Sequence, residues 1–303
     1  MILIRRPPAY ATIQDRGRTA YMSSGVPRAG AMDLATLDTL NALLGNSANS
    51  AAIECALTGG EIESTERVTF AIAGARCSAK LNDMEIDCFR AYTAKAGGVL
   101  TIDAISSGRF VYVAFAGGID VPVVMGSRST YVPGGFGGVD GRRLRNGDVV
   151  KVATSPRVRH HVADPLPTAL HPKRSSGPIR FISRGAADEL TLSDWKLSSS
   201  SDRTGYRLAG QAVIGGASIT SEPVCPGVIQ LPPGGEPIIL MSDAPTVGGY
   251  RILGTVISAD LGRLAQFSPG DPVSFEIMSV EAAQRELVAD NERIDQIRAW
   301  TLG

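Results

Sequence analysis

The chain reads as a mainly β protein made of two tandem β domains, and three observations predict this. Its apolar stretches are short, rich in β-branched or aromatic residues, and bounded by turn residues: VTFAIAG (68–74), VLTIDAI (99–105), FVYVAFAG (110–117), VVKVA (149–153), VIQL (228–231), PIILM (237–241) and PVSFEIM (272–278). Glycine (34) and proline (18) are spread throughout, so barrels or sandwiches fit better than a βαβ sheet. Finally, a set of motifs recurs in the second half of the chain. Each half opens on a β-type run (1–8 and 177–185) and then carries an Asp-Arg turn, Asp15-Arg16-Gly17 or Asp202-Arg203-Thr204-Gly205. An apolar strand follows that leads to a double glycine (110–120 and 237–250), and the half ends in a Gly-Asp turn before a last strand (141–152 and 262–277). Self-similarity at so long a spacing is not a solenoid repeat. It predicts a duplicated β domain, with a ligand cleft between copies as the usual consequence. The expected boundaries are a first domain at 1–155, a linker at 156–177 and a second domain at 178–303.

Two helices punctuate this pattern. Asp33 is placed to cap a helix ending near Leu44, with leucines at helical spacing and Gly45-Asn46 as its stop. Ser279 is placed to cap a C-terminal helix in which Val280, Leu287 and Ile294 recur every seven residues. That helix either packs on its own domain or docks a partner subunit.

Composition removes several function classes. Lys plus Arg (30) equal Asp plus Glu (30), which favours neither nucleic acid nor an acidic membrane as partner. A formal charge of zero mildly favours an assembled, oligomeric state. No stretch reaches the ~18 apolar residues of a membrane span, and MILIRRPPAY lacks the order of a signal peptide, so the expected location is the cytoplasm. Cys55, Cys77, Cys88 and Cys225 show no C-x-x-C spacing and read as small buried residues, not as metal ligands or a disulfide framework. His160, His161 and His171 all fall in the linker and read as solvated. With no histidine in either domain, Ser-His-Asp and His-metal chemistry are disfavoured, and no metal site is expected.

Three stretches can carry chemistry. Residues 12–33 form a polar, glycine-rich loop before a helix N-terminus, with Gln14, Asp15, Arg16, Arg18, Arg28 and Asp33. Helix N-termini attract anions and arginine forks bind carboxylates, although an Asp-Arg pair is as often a buried structural ion pair. Residues 125–138, MGSRSTYVPGGFGG, set Arg128 between Ser127 and Ser129 and continue into a glycine-rich turn. Its N–H groups can form an oxyanion nest, or the glycines simply serve β-turns; no phosphate or dinucleotide loop pattern is present. Residues 221–261 hold Glu222, Gln230, Asp243 and Asp260, with Gly248, Gly249 and Tyr250 as a tight approach. There a carboxylate is a base or, more often, a turn cap.

Taken together, TIQDRGR, GVPRAGAMD, AGGIDVPVVMGSRSTYVPGGFGGVDGRRLRNGD, SDRTGYRL, SEPVCPGVIQLPPGGEPIILM and GTVISADLGRLAQFSPGD resemble the allophanate-hydrolase-subunit-2 family. That family is also described as biotin-dependent carboxyltransferases, as the C subunit of prokaryotic 5-oxoprolinase, or as Kip-type antagonists. The resemblance implies two tandem cyclophilin-like β-barrel domains with a few short helices and a C-terminal helix. It implies partners as well: a subunit-1-type protein and a lactam-utilisation-type or biotin-carrier subunit. The substrate would be a small amide or lactam. No cofactor would be bound covalently; carboxybiotin would be presented by a partner carrier, and ATP would be used only through a partner subunit. The chain departs from the family at DAPTVGGY, where the usual D-x-Q-T-T-G-G-Y loses its Gln to Pro245 and a Thr to Val247, and Arg251 replaces the Pro that follows. The segment usually close to Gly-Pro-Gln is Arg184-Gly185-Ala186.

Carboxyl transfer to an amide-like nitrogen needs a base, an oxyanion site and a carboxylate clamp. Asp15 or Asp243 suits the base, Arg18 or Arg128 the clamp, and N–H groups around Gly135 and Gly137 or Gly248 and Gly249 the oxyanion site. Gln14, Ser129, Glu222, Gln230 and Tyr250 complete the expected substrate contacts. Opening of 5-oxoproline would use the same elements to hold the lactam. The alternative is a non-catalytic regulatory protein that sequesters a kinase-inhibitor-like subunit-1 partner, which the two polar losses favour.

Overall fold

A computed structural model describes residues 1–154, 164–173, 177–185 and 188–302. His160, His161 and Ala186, singled out above, lie outside the described residues. The chain divides into two compact units. The first comprises 1–17, 33–172 and 291–303, the second 18–32 and 173–290.

In the first unit the strands are β1 (Ile2–Arg6), β2 (Tyr10–Gln14), β3 (Ala52–Ala56), β4 (Glu61–Ser64), β5 (Val68–Arg76), β6 (Ala79–Leu81), β7 (Met84–Glu85), β8 (Ala91–Ala94), β9 (Val99–Ile102), β10 (Ser107–Phe115) and β11 (Val149–Val150). Helix α1 (Leu34–Leu43) lies between β2 and β3 in sequence. One sheet runs β11-β1-β4-β9-β6-β7 and the other β2-β3-β10-β5-β8, all pairs antiparallel. Alternation along the strands sends Ile2, Ile4, Ile13, Ile53, Phe70, Ile72, Val111, Val113 and Phe115 into one apolar core. Asp33 caps α1, its Oδ1 accepting from the Thr36 N–H (3.0 Å) and its Oδ2 from the Thr36 hydroxyl (2.7 Å).

The second unit contains β12 (Ile179–Ser183), α2 (Asp188–Thr191), β13 (Trp195–Leu197), β14 (Gly205–Ala209), β15 (Ser218–Pro223), β16 (Val228–Leu231), β17 (Ile238–Leu240), β18 (Val247–Val256), α3 (Ser258–Ala265), β19 (Pro272–Val273), β20 (Phe275–Ile277) and the first half of α4 (Val280–Leu302). Its sheet runs β19-β13-β14-β17-β16-β18-β12-β20, with β15 pairing β18 off that path. The path begins and ends on strands separated by one residue, so the sheet nearly closes on itself as a barrel. Buried Phe181, Trp195, Tyr206, Leu208, Ile229, Leu253 and Leu264 belong to this unit. The Tyr206 hydroxyl donates to the Ala265 carbonyl (2.8 Å), as a buried phenol must find a partner.

Helix α4 opens at Ser279, whose hydroxyl accepts from the Ala282 N–H (3.2 Å). Its residues 280–290 count with the second unit and 291–303 with the first. In the first unit, Arg293 Nη1 donates to Thr39 Oγ1 (2.9 Å) and the Leu170 carbonyl (3.0 Å), and Thr301 Oγ1 donates to Ala42 O (3.4 Å).

The mainly β expectation holds, and several local expectations are corrected. Gln14 ends strand β2 and does not lie in a loop, and Val247–Tyr250 begin β18. Cys225 is exposed, while Cys77 and Cys88 are half-buried. His171 is not solvated: its ring stacks on Phe89 with centroids 4.1 Å apart, and Nε2 lies 3.0 Å from the Leu166 carbonyl.

Candidate functional site

Within the first unit the expected residues gather at the end of β2. Asp15 is completely buried. Its Oδ1 accepts from the Gly17 N–H (2.8 Å), the Ser127 hydroxyl (2.6 Å) and the Ser129 hydroxyl (2.5 Å); its Oδ2 accepts from the Arg128 N–H (2.6 Å). A carboxylate has about four lone-pair sites, and four donors converge on this one. Three of the four share Oδ1, and Asp15 thereby fastens residues 127–129 to the end of β2.

Gln14 is also fully buried, and its Nε2 donates to Thr12 Oγ1 (2.9 Å) and the Thr130 carbonyl (3.1 Å). The carbonyl partner fixes which end of the carboxamide is nitrogen, leaving Oε1 with no hydrogen-bond partner. The Arg128 guanidinium reaches Asp120 (3.6 Å), which also binds Lys151 (2.9 Å). Lys151, and after it Arg128, hold the Asp120 carboxyl below its ordinary range.

The glycine loop is folded upon itself. The Gly135 N–H donates to Val132 O (3.1 Å) and the Gly138 N–H to Arg128 O (2.9 Å), so these two donors are spent internally. Gly137, at φ +75°, accepts from the Gly141 N–H (2.8 Å). A Cβ at Gly138 would stand 2.0 Å from Thr130 Oγ1, which makes glycine obligatory there.

Sequence reading missed a buried carboxylate, Glu54. Register sets Thr12, Glu54 and Tyr112 side by side across β2, β3 and β10, all at 0% exposure. The Tyr112 hydroxyl donates to Glu54 Oε2 (2.6 Å) and accepts from the Asp33 N–H (2.8 Å). Burial, then the Glu54 charge, push the Tyr112 phenol well above its ordinary value. The available signal was a single acidic residue inside the apolar run AAIECA, since buried carboxylates are rare and functional more often than most. Burial and then Glu54 also push the Cys55 thiol up to about 12, which removes it as a nucleophile at neutral pH.

Within the second unit, Asp243 forms a two-point ion pair with Arg203: Nε donates to Oδ2 (2.9 Å) and Nη2 to Oδ1 (2.8 Å). The same Nη2 donates to the Gly30 carbonyl (2.7 Å), and the Ser242 hydroxyl donates to the Ala31 carbonyl (3.1 Å). These bonds hold a strained piece of chain in which Ala29 (φ +51°) and Gly30 (φ +90°) are both left-handed. Arg18 belongs to this unit, buried, with its N–H donating to Arg28 O (2.8 Å).

Glu222 pairs with Arg184 (2.8 Å) and sits opposite Gly248 in the β15–β18 ribbon. Gly249 follows, and Tyr250, 39% exposed, lies opposite Ser218. Gln230 on β16 is buried, and its Nε2 packs against Gly248 without a hydrogen-bond partner. Asp260, expected as a further carboxylate candidate, accepts from Arg180 Nη2 (2.7 Å) and Arg263 Nη2 (2.8 Å). Burial alone would raise its carboxyl, but these hydrogen bonds hold it below the ordinary range. It is a structural anion between two arginines.

The structure thus joins Asp15 with Arg128 and Ser129, Asp243 with Arg203, and Gln230 with Gly248. Among the described residues no group of three or more His, Cys, Asp or Glu side chains could hold a metal ion, and no helix is long and apolar enough to cross a membrane.

Residues 24–277 match the carboxyltransferase domain family, subdomain A and B. The chain is 38% identical to the 5-oxoprolinase C subunit of Escherichia coli over 307 residues, covering 100% of this chain and 99% of that protein. It is 35% identical to the 5-oxoprolinase C subunit of Haemophilus influenzae, covering 98% of each. The crystal structure of Kluyveromyces lactis urea carboxylase is similar with a TM-score of 0.90 at 28% identity, over 98% of this chain. The match takes in 29% of that enzyme, so the chain spans less than a third of it.

Proposed function

The chain belongs to the carboxyltransferase domain family, and on that premise we propose that it is one subunit of a heteromeric cytoplasmic enzyme acting on a small amide or lactam. The observation that carries this reading is the 38% identity to a 5-oxoprolinase C subunit along the full length of both chains. Lactam opening is accordingly preferred to carboxyl transfer onto a urea-like nitrogen, the chemistry suggested by a relative of which the chain spans only 29%. ATP chemistry, and carboxybiotin if the reaction is a carboxyl transfer, would come from partners: a subunit-1-type protein and a lactam-utilisation-type or biotin-carrier subunit.

Of the two carboxylates expected as base, Asp243 is the better choice on lone-pair count. Arg203 occupies one site on each of its oxygens, which leaves the others for a substrate N–H. Asp15 is a positioning residue that holds Arg128 and Ser129 in place. Arg203 positions Asp243 and the Gly30 turn together.

The test is reconstitution. The chain combined with its partner subunits should convert 5-oxoproline to glutamate in an ATP-dependent way, and Asp243→Asn should abolish turnover while the complex still assembles. Assembly without turnover, unchanged by Asp243→Asn, would instead favour the sequestering, non-catalytic reading. The exposure of Val247 (53%), an apolar residue beside Gly248, speaks for that second reading.

A further inference from the structure

Gln230 is 5% exposed, and its Nε2 is fully buried without a hydrogen-bond partner. It sits on β16 between Ile238 of β17 and Ile252 of β18, in the apolar stretch VIQL, where methionine or leucine would fill the same space without a polar group. A buried donor left unpaired weakens a fold and calls for a reason. Gly248 leaves the room that the carboxamide fills. A Cβ at Gly248 would stand 2.2 Å from Gln230 Nε2 and 3.3 Å from Val224 Cγ1, so any side chain at 248 would expel the amide. Nearby, Pro245 and Val247 offer no side-chain hydrogen bond, whereas Tyr250 (39% exposed) and Glu222 lie along the same ribbon.

We propose that Gln230 is a specificity-determining residue for an amide that presents its C=O and N–H on one edge, reading the ligand's carbonyl and adjacent N–H with its own Nε2 and Oε1. A primary carboxamide carries a donor and an acceptor side by side in one plane. Its complement must present an acceptor and a donor on one edge. A lactam or a cyclic urea holds C=O and N–H cis, and a primary amide or urea offers the same edge through one of its N–H groups, while an open-chain secondary amide holds them trans. The last torsion of glutamine is broad, so the carboxamide can turn to meet a ligand lodged beside Gly248 and Tyr250. The assignment rests on the amide-processing reading above and removes open-chain secondary and N-alkylated amides from its substrates.

The experiment pairs stability with binding on the full-length chain. The probes are 2-pyrrolidinone and 5-oxoproline for the lactam arm, 2-imidazolidinone for the cyclic-urea arm, and N-methyl-2-pyrrolidinone as a control that lacks the N–H. Gln230→Met is expected to raise Tm by about 2–4 °C, because an unpaired buried group is replaced by an apolar one of similar shape. The same substitution, and separately Gly248→Ala, should weaken whichever ring binds by about tenfold or more in calorimetric titration, and the N-methyl control should not bind. A lower Tm for Gln230→Met would reveal a structural partner and overturn the assignment. So would undiminished ring affinity in that variant, equal binding of the N-methyl control, or no binding of any ring by the unaltered chain. These outcomes are separable from the functional reading itself, which stands or falls on 5-oxoproline turnover by the reconstituted complex.

Discussion

Two turns begin from the same dipeptide and finish with opposite halves buried. In both, the aspartate closes the turn through its own Oδ1: Asp15 accepts from the Gly17 N–H (2.8 Å), and Asp202 from the Thr204 N–H (2.8 Å) and Gly205 N–H (3.2 Å). At the first turn the aspartate is buried among four donors, and Arg16 lies outside on Asp38. At the second Asp202 is exposed, while Arg203 is buried against Asp243 and the Gly30 carbonyl. The local sequence sets the turn. Which charge goes inside depends on distant partners, because a buried charge persists only where several groups answer it.

Substitutions can break this comparison, and the largest effect should come from Arg203→Ala. It strands Asp243 and frees Gly30, and should cost about 3–5 kcal/mol in urea unfolding. A loss below about 1 kcal/mol would mean that the buried pair is not what holds this turn. Asp15→Asn keeps one acceptor oxygen but turns an amide nitrogen towards donors, so about 2–3 kcal/mol should be lost. Acid tests the same idea elsewhere in the second unit. Asp260 has a folded pKa held below its unfolded value, so its contribution is complete above about pH 4 and is lost as pH falls through the lower folded value. Asp260→Asn should flatten that acid limb in a series of unfolding curves from pH 6 to about pH 2. The smallest effects belong to the outward-facing partners: Arg16→Ala and Asp202→Ala should each cost under about 1 kcal/mol. A double-mutant cycle sharpens the contrast, with coupling of about 2 kcal/mol or more for Arg203 with Asp243 and under about 0.5 kcal/mol for Arg16 with Asp38.

Much of the fold was legible because periodicity and turn residues agree. The runs at 68–74, 99–105 and 110–117 fall on β5, β9 and β10, and Asp33 caps α1 as its sequence indicates. Illegible elements owe their state to neighbours. The Gly-Gly-Tyr of β18 has no strand-forming pattern, yet pairing with β15 extends it; β2 owes its state to β3 in the same way. For the candidate site, Asp15 and Asp243 stood out as acidic residues in glycine-rich stretches, but nothing local announced that Ser127, Ser129 and the Arg128 N–H would converge on one while Arg203 gripped the other. Arg203 was visible only as half of a repeat. Glu54 was visible and passed over, since a lone Glu in AAIECA carries its information by being out of place.

The division of the chain bears on how it is made. Residues 18–32 are made before most of the first unit yet count with a unit whose remaining chain begins at 173, and residues 291–303 are made after that remaining chain yet count with the first unit. Neither unit has all its parts when translation passes the midpoint. The Arg293 and Thr301 bonds to Thr39 and Ala42 can form only after residue 290 has been made. Strictly domain-by-domain folding during synthesis, the usual course for a chain of this length, would leave each unit without one of its segments, and a chain truncated at about residue 290 should be more open to protease than the full chain.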